Sequence, residues 1–351
     1  MKIGLIIPGN EGFLPFISIF KKILKEKNVE FECVIWNRMN MTEKGIVYNA
    51  YSNRAQNNFL KLFNYYKFAG FAAKQALKHK FDKLVVFSPQ LALFMYPFLK
   101  KHYANRFWLD YRDLSIEQKC IKLFKKLLDI SEYISISSPG FKKALPDGYE
   151  YILSHNFDID EIKSILNTPF TSGVRKETMD TVTVSTIGAI RLDSNIEVID
   201  SIKGNNKILL RFIGEGMASK TLQEYAERTN AKNVTFSGFY KKCDEHIFYE
   251  TTDFVNIYYP HILSHDTALS NRFYKSLVFR KPMIVRSNSI QGDYVKKYRL
   301  GLSLDDCNDL SAKLCEYVID DDFSERCNML LSEFCKDYDC FYNKFVDFID
   351  K

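Results

Sequence analysis

The sequence of 351 residues lacks the features of several protein classes. No stretch approaches the roughly 18 uninterrupted apolar residues that a membrane-spanning helix needs. The N-terminal run MKIGLIIPGNEG reaches glycine, asparagine and glutamate too early for a signal peptide. The eight cysteines are scattered, and no pair has the CxxC spacing of a zinc or redox motif. We therefore expect a cytoplasmic protein with reduced thiols and no zinc site.

Motifs for two kinds of ligand are also missing. The loop at residues 8–12 follows the first predicted strand but lacks the GxGxxG spacing of dinucleotide sites, so NAD is not expected. Glycine in this loop serves either a plain tight turn or the approach of backbone N–H groups to an anion. The net charge is +6, yet no nucleic-acid-binding motif accompanies it. A nucleic-acid partner is therefore not expected.

Short apolar runs alternate with longer helical patterns along the chain, which predicts parallel sheets with helices on both faces. The predicted strands are residues 2–8, 30–36, 83–87, 106–110, 133–137, 150–154, 181–187, 207–213, 233–236, 254–258 and 282–286. Between the sixth and seventh, residues 167–180 combine Pro, Gly, Ser and Thr with little periodicity, as a linker does. The sequence thus predicts an α/β protein of two Rossmann-like domains, whose ligands bind outside the carboxyl ends of the strands.

Positive charge is concentrated in the first half of the chain. Residues 1–165 carry a net charge of +9, whereas residues 166–351 carry −3. Residues 54–80 contain six basic residues and no acidic one. The apolar residues between them are Phe59, Leu60, Phe63, Tyr66, Phe68 and Phe71. Two interpretations fit: an amphipathic helix for an anionic membrane surface or an acceptor tethered to one, or a surface helix whose aromatic side chains face the core.

A charged cluster follows the fourth predicted strand. Asp110, Arg112 and Asp113 stand at the expected carboxyl end of that strand. Such a cluster is costly to bury without a purpose. It either contacts sugar hydroxyls and orients an acceptor, or forms a buried Arg–Asp pair that fixes the loop.

Three predicted strands of the second half each end in glycine. Gly188, the pair Gly214 and Gly216, and Gly238 follow these strands, and Arg191 comes shortly after the first. Together they predict a crevice with close access to the backbone and a cation for phosphate. A helix is predicted to start near Ser270, which could cap it, so that its free N–H groups meet a pyrophosphate.

In their order, these segments resemble the GT-B glycosyltransferases, specifically the family-4-like bacterial enzymes of capsule, O-antigen and exopolysaccharide assembly. The similar segments are SPGFKKALP, ILSHNFDID, TIGAIR, FIGEG, VTFSGFY and ALSNRFYKSLVFRKPMIV. The resemblance covers essentially the whole chain. It implies a GT-B fold, with an acceptor domain over residues 1–165 and a nucleotide-sugar donor domain over residues 166–334, whose sheets face each other across a central cleft. A helix at about 335–351 is expected to pack back on the first domain.

The resemblance also implies roles for the matching residues. Donor binding would involve Gly188, Arg191, Gly214, Gly216, Gly238, Tyr240, Asp266, Ser270, Asn271, Arg272 and Lys275. The acceptor side would involve Gly12, Asp110, Arg112 and Asp113. The groups implied in catalysis are Arg191, Arg272, Asp110 and Asp113.

The activity implied is transfer of a sugar from a nucleotide-diphosphate donor to a growing, lipid-linked surface glycan. The family retains the anomeric configuration and needs no metal or other cofactor, because Arg residues and helix dipoles stabilise the leaving diphosphate. The expected location is the cytoplasm, with peripheral attachment at the inner face of the plasma membrane as an option through residues 54–80.

One departure from the family pattern leaves alternatives open. The family places a ribose-binding Glu where this chain has Lys275, and the earlier Glu of the pattern corresponds to Thr267, beside Asp266. A carboxylate accepts hydroxyl protons, whereas an ammonium only donates. Ribose recognition has moved to Asp266, or Lys275 binds phosphate, or the protein is a degenerate GT-B subunit that supports a partner. An epimerase-like enzyme is a further alternative.

Overall fold

The structure is a computed structural model that describes residues 1–52, 57–168 and 181–351. Arg54 and residues 169–180 of the predicted linker lie outside the described residues. The chain forms two compact units, Met1–Asp158 together with Lys336–Lys351, and Ile159–Cys335. Each unit contains one sheet in which every strand pairing is parallel.

The sheet of the first unit has the order β3-β2-β1-β4-β5-β6-β7. Its strands are β1 (Lys2–Ile7), β2 (Glu30–Asn37), β3 (Ile46–Asn49), β4 (Lys83–Phe87), β5 (Phe107–Tyr111), β6 (Tyr133–Ile136) and β7 (Ile152–Leu153). The helices between them are α1 (Ile17–Glu26), α2 (Asn58–Lys78), α3 (Pro89–His102) and α4 (Ile121–Leu128). Strands β4 and β5 are buried at every residue, as expected for a sheet covered on both faces.

The second unit repeats this plan with the strand order β10-β9-β8-β11-β12-β13. Its strands are β8 (Val182–Ile187), β9 (Ile208–Ile213), β10 (Val234–Gly238), β11 (Phe254–Ile257), β12 (Met283–Arg286) and β13 (Gly301–Leu304). The remaining helices are α5 (Ile159–Asn167), α6 (Asn195–Ile202), α7 (Ser219–Arg228), α8 (Glu245–Glu250), α9 (Leu263–Thr267), α10 (Asn271–Val278), α11 (Ile290–Tyr298), α12 (Leu310–Glu316) and α13 (Phe323–Asp350).

The two faces of the first sheet carry different helices. The chain runs outward from β1 to β3 and then returns to β4 and continues to β7, so right-handed crossovers place α1 on one face and α2 to α4 on the other. On the α1 face, Phe20 packs edge-on against Phe341 and Phe345 of α13 with ring centroids 5.1 Å apart. The end of α13 therefore completes the core of the first unit.

The sequence patterns predict eleven of the thirteen strands in the described part of the chain, and the structure confirms those eleven. The two that the prediction omits are β3 and β13, each of four residues at the edge of its sheet. The α/β fold of two Rossmann-like units is confirmed. The units divide between Asp158 and Ile159, so α5 belongs to the second unit.

Candidate functional site

The loops after β8 and β9 approach each other closely at the carboxyl edge of the second sheet. The N–H of Gly188 donates to the carbonyl of Ile213 at 2.8 Å, and the N–H of Ile190 donates to Glu215 at 3.1 Å. Gly214 has φ +124°, and a Cβ on it would collide with the Gly188 carbonyl. The two loops therefore meet main chain to main chain, and no side chain fits between them at this carboxyl edge, where ligands of parallel sheets bind.

An open pocket of about 780 Å³ lies beside these loops. Its lining residues are Gly214, Glu215, Gly216, Ser219, Lys220, Gln223, Phe236, Ser237 and Gly238. Helix α7 begins at this pocket, and its N-cap residue, Ala218, makes no side-chain capping bond. The positive end of the helix dipole, together with the exposed ammonium of Lys220, therefore favours an anion here. The pocket is lined by Gly214, Gly216 and Gly238, three of the glycines for which the sequence predicts a common crevice.

Arg272 extends from α10 to the loop after β8. Its Nε donates to the carbonyl of Ile187, its Nη2 donates to Ala189 at 2.8 Å, and its Nη1 donates to the Tyr259 hydroxyl at 3.0 Å. The resemblance implies that Arg272 binds diphosphate directly. Three of the five N–H donors of the guanidinium are directed at the protein, so Arg272 positions the Gly188 loop. Direct binding of a diphosphate by Arg272 stays a prediction.

Arg191 and Asn271 are exposed beside this same framework. Arg191 follows β8 in the loop that Arg272 holds, and Asn271 is the first residue of α10. The predicted cap of α10 is confirmed, because Ser270 Oγ accepts from the N–H of Phe273 at 3.3 Å. Tyr240 also lies near the Gly188 loop, because its hydroxyl oxygen is 3.8 Å from the position that a Cβ on Gly188 would take.

The environment of Tyr240 fixes its protonation. The Tyr240 hydroxyl donates to Glu245 at 2.8 Å, and burial together with this carboxylate raises the Tyr240 pKa well above its usual range. The side chain is therefore a neutral phenol at physiological pH. It can accept a further hydrogen bond from a ligand at the Gly188 loop.

Lys275 is paired with a carboxylate that sequence reasoning does not identify. Its Nζ lies 2.7 and 2.8 Å from the two carboxylate oxygens of Glu161 on α5. Asp266, the alternative ribose ligand, lies 2.9 Å from His261 Nδ1. The positive charge of Lys275 is thus compensated within the second unit. No local motif signals this pair, because its members are 114 residues apart.

The charged cluster after β5 has a different character. Asp110 is fully buried, accepts from Arg112 Nε at 2.6 Å and accepts from Ser135 Oγ at 2.5 Å. Arg112 in turn donates to the carbonyl and the hydroxyl of Ser154 at 2.8 and 2.9 Å. This geometry corrects the expectation that Asp110 and Arg112 face a ligand, because both hold β5, β6 and the segment after β7 together. Asp113 and Gly12 are exposed at the same edge of the sheet.

Three histidines that an epimerase-like reaction could use as acid or base, namely His155, His261 and His265, are also held by contacts within the protein. His155 is buried, and its Nε2 lies 2.9 Å from Asp337. Burial lowers the His155 pKa, which favours the neutral ring. His261 contacts Asp266, and His265 Nδ1 lies 3.3 Å from the carbonyl of Pro260. No histidine is among the residues that line the pocket after β9.

Within the described ranges, no three His, Cys, Asp or Glu side chains are grouped so that they could hold a metal ion. In the same part of the chain, no helix combines the length and apolar character needed to cross a membrane.

Comparison with known proteins identifies the fold. No model of a protein family matches the sequence, and no curated protein matches it. Sucrose-phosphate synthase from Thermosynechococcus elongatus is similar in structure, with a TM-score of 0.68 at 12% identity over 99% of each chain. Anabaena HepE in complex with UDP and glucose gives 0.65 at 13% identity over 95% of each chain.

The UDP-GlcNAc 2-epimerase from Methanocaldococcus jannaschii is also similar, with a TM-score of 0.58 at 12% identity over 96% of this chain and 100% of that chain. These likenesses establish that the chain has the GT-B fold predicted from its sequence.

Proposed function

We propose that the protein is a glycosyltransferase that takes a sugar from a nucleotide-diphosphate donor bound to its second unit. The observation that carries this proposal is the pair of interlocked glycine loops after β8 and β9, with the open pocket beside them. A diphosphate needs main-chain N–H groups, positive helix ends and a cation. The second unit supplies a positive helix end at the start of α7 and a cation at Arg191, beside glycine loops that meet through their main chain.

The chemistry follows from where charge develops. As the bond from the sugar to the diphosphate breaks, negative charge grows on the leaving phosphate. Groups that meet this charge lower the barrier only if they bind it more strongly in the transition state than before. We assign this role to the exposed Arg191 and to the starts of α7 and α10, and assign Arg272 to holding their geometry. No metal ion has a part in this proposal.

We further propose that the transferred sugar retains its anomeric configuration. The acceptor hydroxyl attacks the face of the sugar from which the diphosphate departs, and its proton passes to the leaving phosphate oxygen. This route needs no protein base. It agrees with the burial of Asp110 and with the protein contacts of the three histidines.

The proposed acceptor is a growing, lipid-linked surface glycan at the cytoplasmic face of the membrane. On the acceptor side we retain Gly12 and Asp113, which are exposed at the carboxyl edge of the first sheet. The resemblance to capsule and O-antigen enzymes supports this choice of acceptor.

The test begins with a thermal-shift panel of nucleoside diphosphates and their sugars, starting with UDP because a structurally similar protein binds it. A ligand present at 100 times its Kd stabilises the native state by about 2.7 kcal/mol. The best donor is then incubated with lipid-linked glycan, and the product is analysed by mass spectrometry and anomeric NMR. Absence of stabilisation by any nucleotide would contradict the proposal.

An epimerase-like activity is the second candidate, because an epimerase shares the fold. It would convert the donor sugar without an acceptor and leave the nucleotide attached. Transfer requires the acceptor and releases nucleoside diphosphate. A third outcome, donor binding with no turnover under any condition, identifies a degenerate subunit.

A further inference from the structure

The helices α2, α3 and α4 cover one face of the first sheet and carry charge of one sign. They contain nine lysines and no Asp or Glu. The opposite face differs, since α1 and residues 336–350 contain five lysines and five acidic residues. The positive charge of the first unit is therefore concentrated on the outer layer formed by α2, α3 and α4, which we call the basic layer.

Helix α2 exposes apolar side chains within this basic layer. Phe59, Phe63 and Tyr66 are 79%, 44% and 62% exposed, and their spacing of four and three residues aligns them on one stripe. Towards the other end of the helix, Phe68 and Ala72 are fully buried. The second half of α2 thus packs on the core, as the interpretation of a surface helix expects, and the first half presents aromatic rings to solvent.

Helix α4 shows the same combination of exposed apolar residues and lysines. Ile121 and Leu123 are exposed and stand beside the exposed Lys122, Lys125 and Lys126. On α2, the ammonium of Lys67 lies 4.5 Å from the centre of the Phe63 ring. This pairing places an apolar ring and a cation at one point of the surface, as at a boundary between lipid and water.

We infer that the basic layer docks on an anionic phospholipid bilayer. Aromatic and aliphatic side chains enter the headgroup region, while the lysines attract lipid phosphates. Charge complementarity favours an anionic bilayer as the partner, because the three helices of the basic layer carry lysines and no carboxylate that would repel it. The inference goes beyond the proposed transfer reaction and does not depend on it, because every residue it uses lies in the first unit.

The test is co-sedimentation with vesicles. We expect binding to vesicles of equal parts phosphatidylglycerol and phosphatidylcholine, little binding to phosphatidylcholine alone, and weaker binding as salt is raised. The variant Lys67→Glu/Lys74→Glu/Lys78→Glu changes three exposed lysines of α2. Its partition onto anionic vesicles is expected to fall by about 100-fold, since each lysine near such a surface contributes several-fold.

A matched control separates the docking surface from net charge. The variant Lys25→Glu/Lys207→Glu/Lys232→Glu makes the same change of charge at exposed lysines outside the basic layer. It is expected to bind vesicles far better than the α2 variant. Equal losses in the two variants would overturn the inference.

The apolar stripe is tested with Phe59→Ser/Phe63→Ser, which leaves the charge unchanged. Binding to anionic vesicles is expected to fall at least tenfold. Unchanged binding would overturn the docking surface as defined. The inference would also be overturned if the unaltered protein does not bind vesicles and sedimentation velocity shows that it is a dimer, which the Phe59→Ser/Phe63→Ser variant converts to a monomer. The nucleotide-induced thermal shift is expected to persist in all three variants, so failure of lipid docking is distinguished from failure of donor binding.

Discussion

The two sheets share one strand order over the first six strands of each unit, but polar groups differ in their surroundings at the two carboxyl edges. In the first unit, Asp110 and Arg112 are buried, and their hydrogen bonds are directed at Ser135 and Ser154. In the second unit, the strands end in glycines beside an open pocket, and Arg191 is exposed. The comparison teaches that a charged cluster at a strand end does not by itself mark a ligand site. Open main chain with a cation at its margin is the stronger indication.

The largest expected effect is on the buried pair of the first unit. Asp110→Ala leaves the Arg112 guanidinium buried without its carboxylate, which should lower the free energy of unfolding of that unit by about 3–5 kcal/mol. Both tryptophans, Trp36 and Trp108, belong to the first unit, so urea unfolding followed by tryptophan fluorescence reports on it. Nucleotide affinity of the folded variant should be unchanged. A tenfold loss of nucleotide affinity would instead show that Asp110 contributes to a ligand site.

The second effect concerns the interlocked loops. Gly214→Ala adds a Cβ that collides with the Gly188 carbonyl at a positive φ, which should cost about 3 kcal/mol. The nucleotide-induced thermal shift should largely disappear. Gly204→Ala is the matched control, since Gly204 also has positive φ but has open space around its Cβ position. If both variants bind nucleotide equally well, the loops are not the donor site.

The third effect concerns the positioning of the Gly188 loop. Arg272→Ala removes the donors to the carbonyls of Ile187 and Ala189, and should cost about 2 kcal/mol of stability in the second unit. Donor affinity should fall along with that stability. Calorimetric unfolding and nucleotide titration check the two together. Loss of affinity at unchanged stability would instead indicate direct contact of Arg272 with the diphosphate.

A smaller effect is expected from the exposed cation. Arg191→Ala should raise the Kd of a nucleoside diphosphate about tenfold, equivalent to 1.4 kcal/mol, and leave the melting temperature of the free protein nearly unchanged. Arg228→Ala, at another exposed arginine of the second unit, is the control. Equal Kd values for the two variants would remove Arg191 from the site.

The smallest effect concerns Lys275. Its pair with Glu161 is about a third exposed on both sides, so solvent screening limits it to about 0.5 kcal/mol. Lys275→Glu should destabilise the second unit slightly, and Glu161→Lys/Lys275→Glu should restore it. Lower stability of the double variant than of Lys275→Glu would contradict the pairing.

The Lys275→Glu variant also tests ribose recognition. Stronger binding of a nucleoside by this variant would show that a carboxylate at this position recovers contacts to the ribose hydroxyls. Weaker binding of diphosphate would show that the lysine serves phosphate. No change in either affinity would place Lys275 outside the site.

The fold was largely predictable because most of its strands are short runs rich in β-branched, aliphatic and aromatic residues, and because a glycine stands at the end of β8, β9 and β10. The edge strands β3 and β13 were not predicted, since four residues give little pattern. The glycines at 188, 214, 216 and 238 were predicted as a group from their places after strands.

The contacts of charged side chains were not predictable in the same way. Nothing near Arg272 in the sequence indicates that it holds a loop 83 and 85 residues away, and nothing near Lys275 indicates Glu161. Ser135 donates to Asp110, and Ser154 accepts from Arg112, only because β5, β6 and β7 lie side by side. Sequence pattern reveals periodicity, whereas side-chain pairing across a sheet depends on tertiary packing.

The central claim is that the second unit binds the donor nucleotide through the loops after β8, β9 and β10 and the start of α10. Hydrogen exchange followed by mass spectrometry, with and without the nucleotide that stabilises the protein most, tests it directly. The account predicts slower exchange in residues 187–191, 214–220, 236–240 and 268–275, and unchanged exchange at residues 107–115. Protection confined to the first unit, or no protection with any nucleotide or nucleotide sugar, would contradict it.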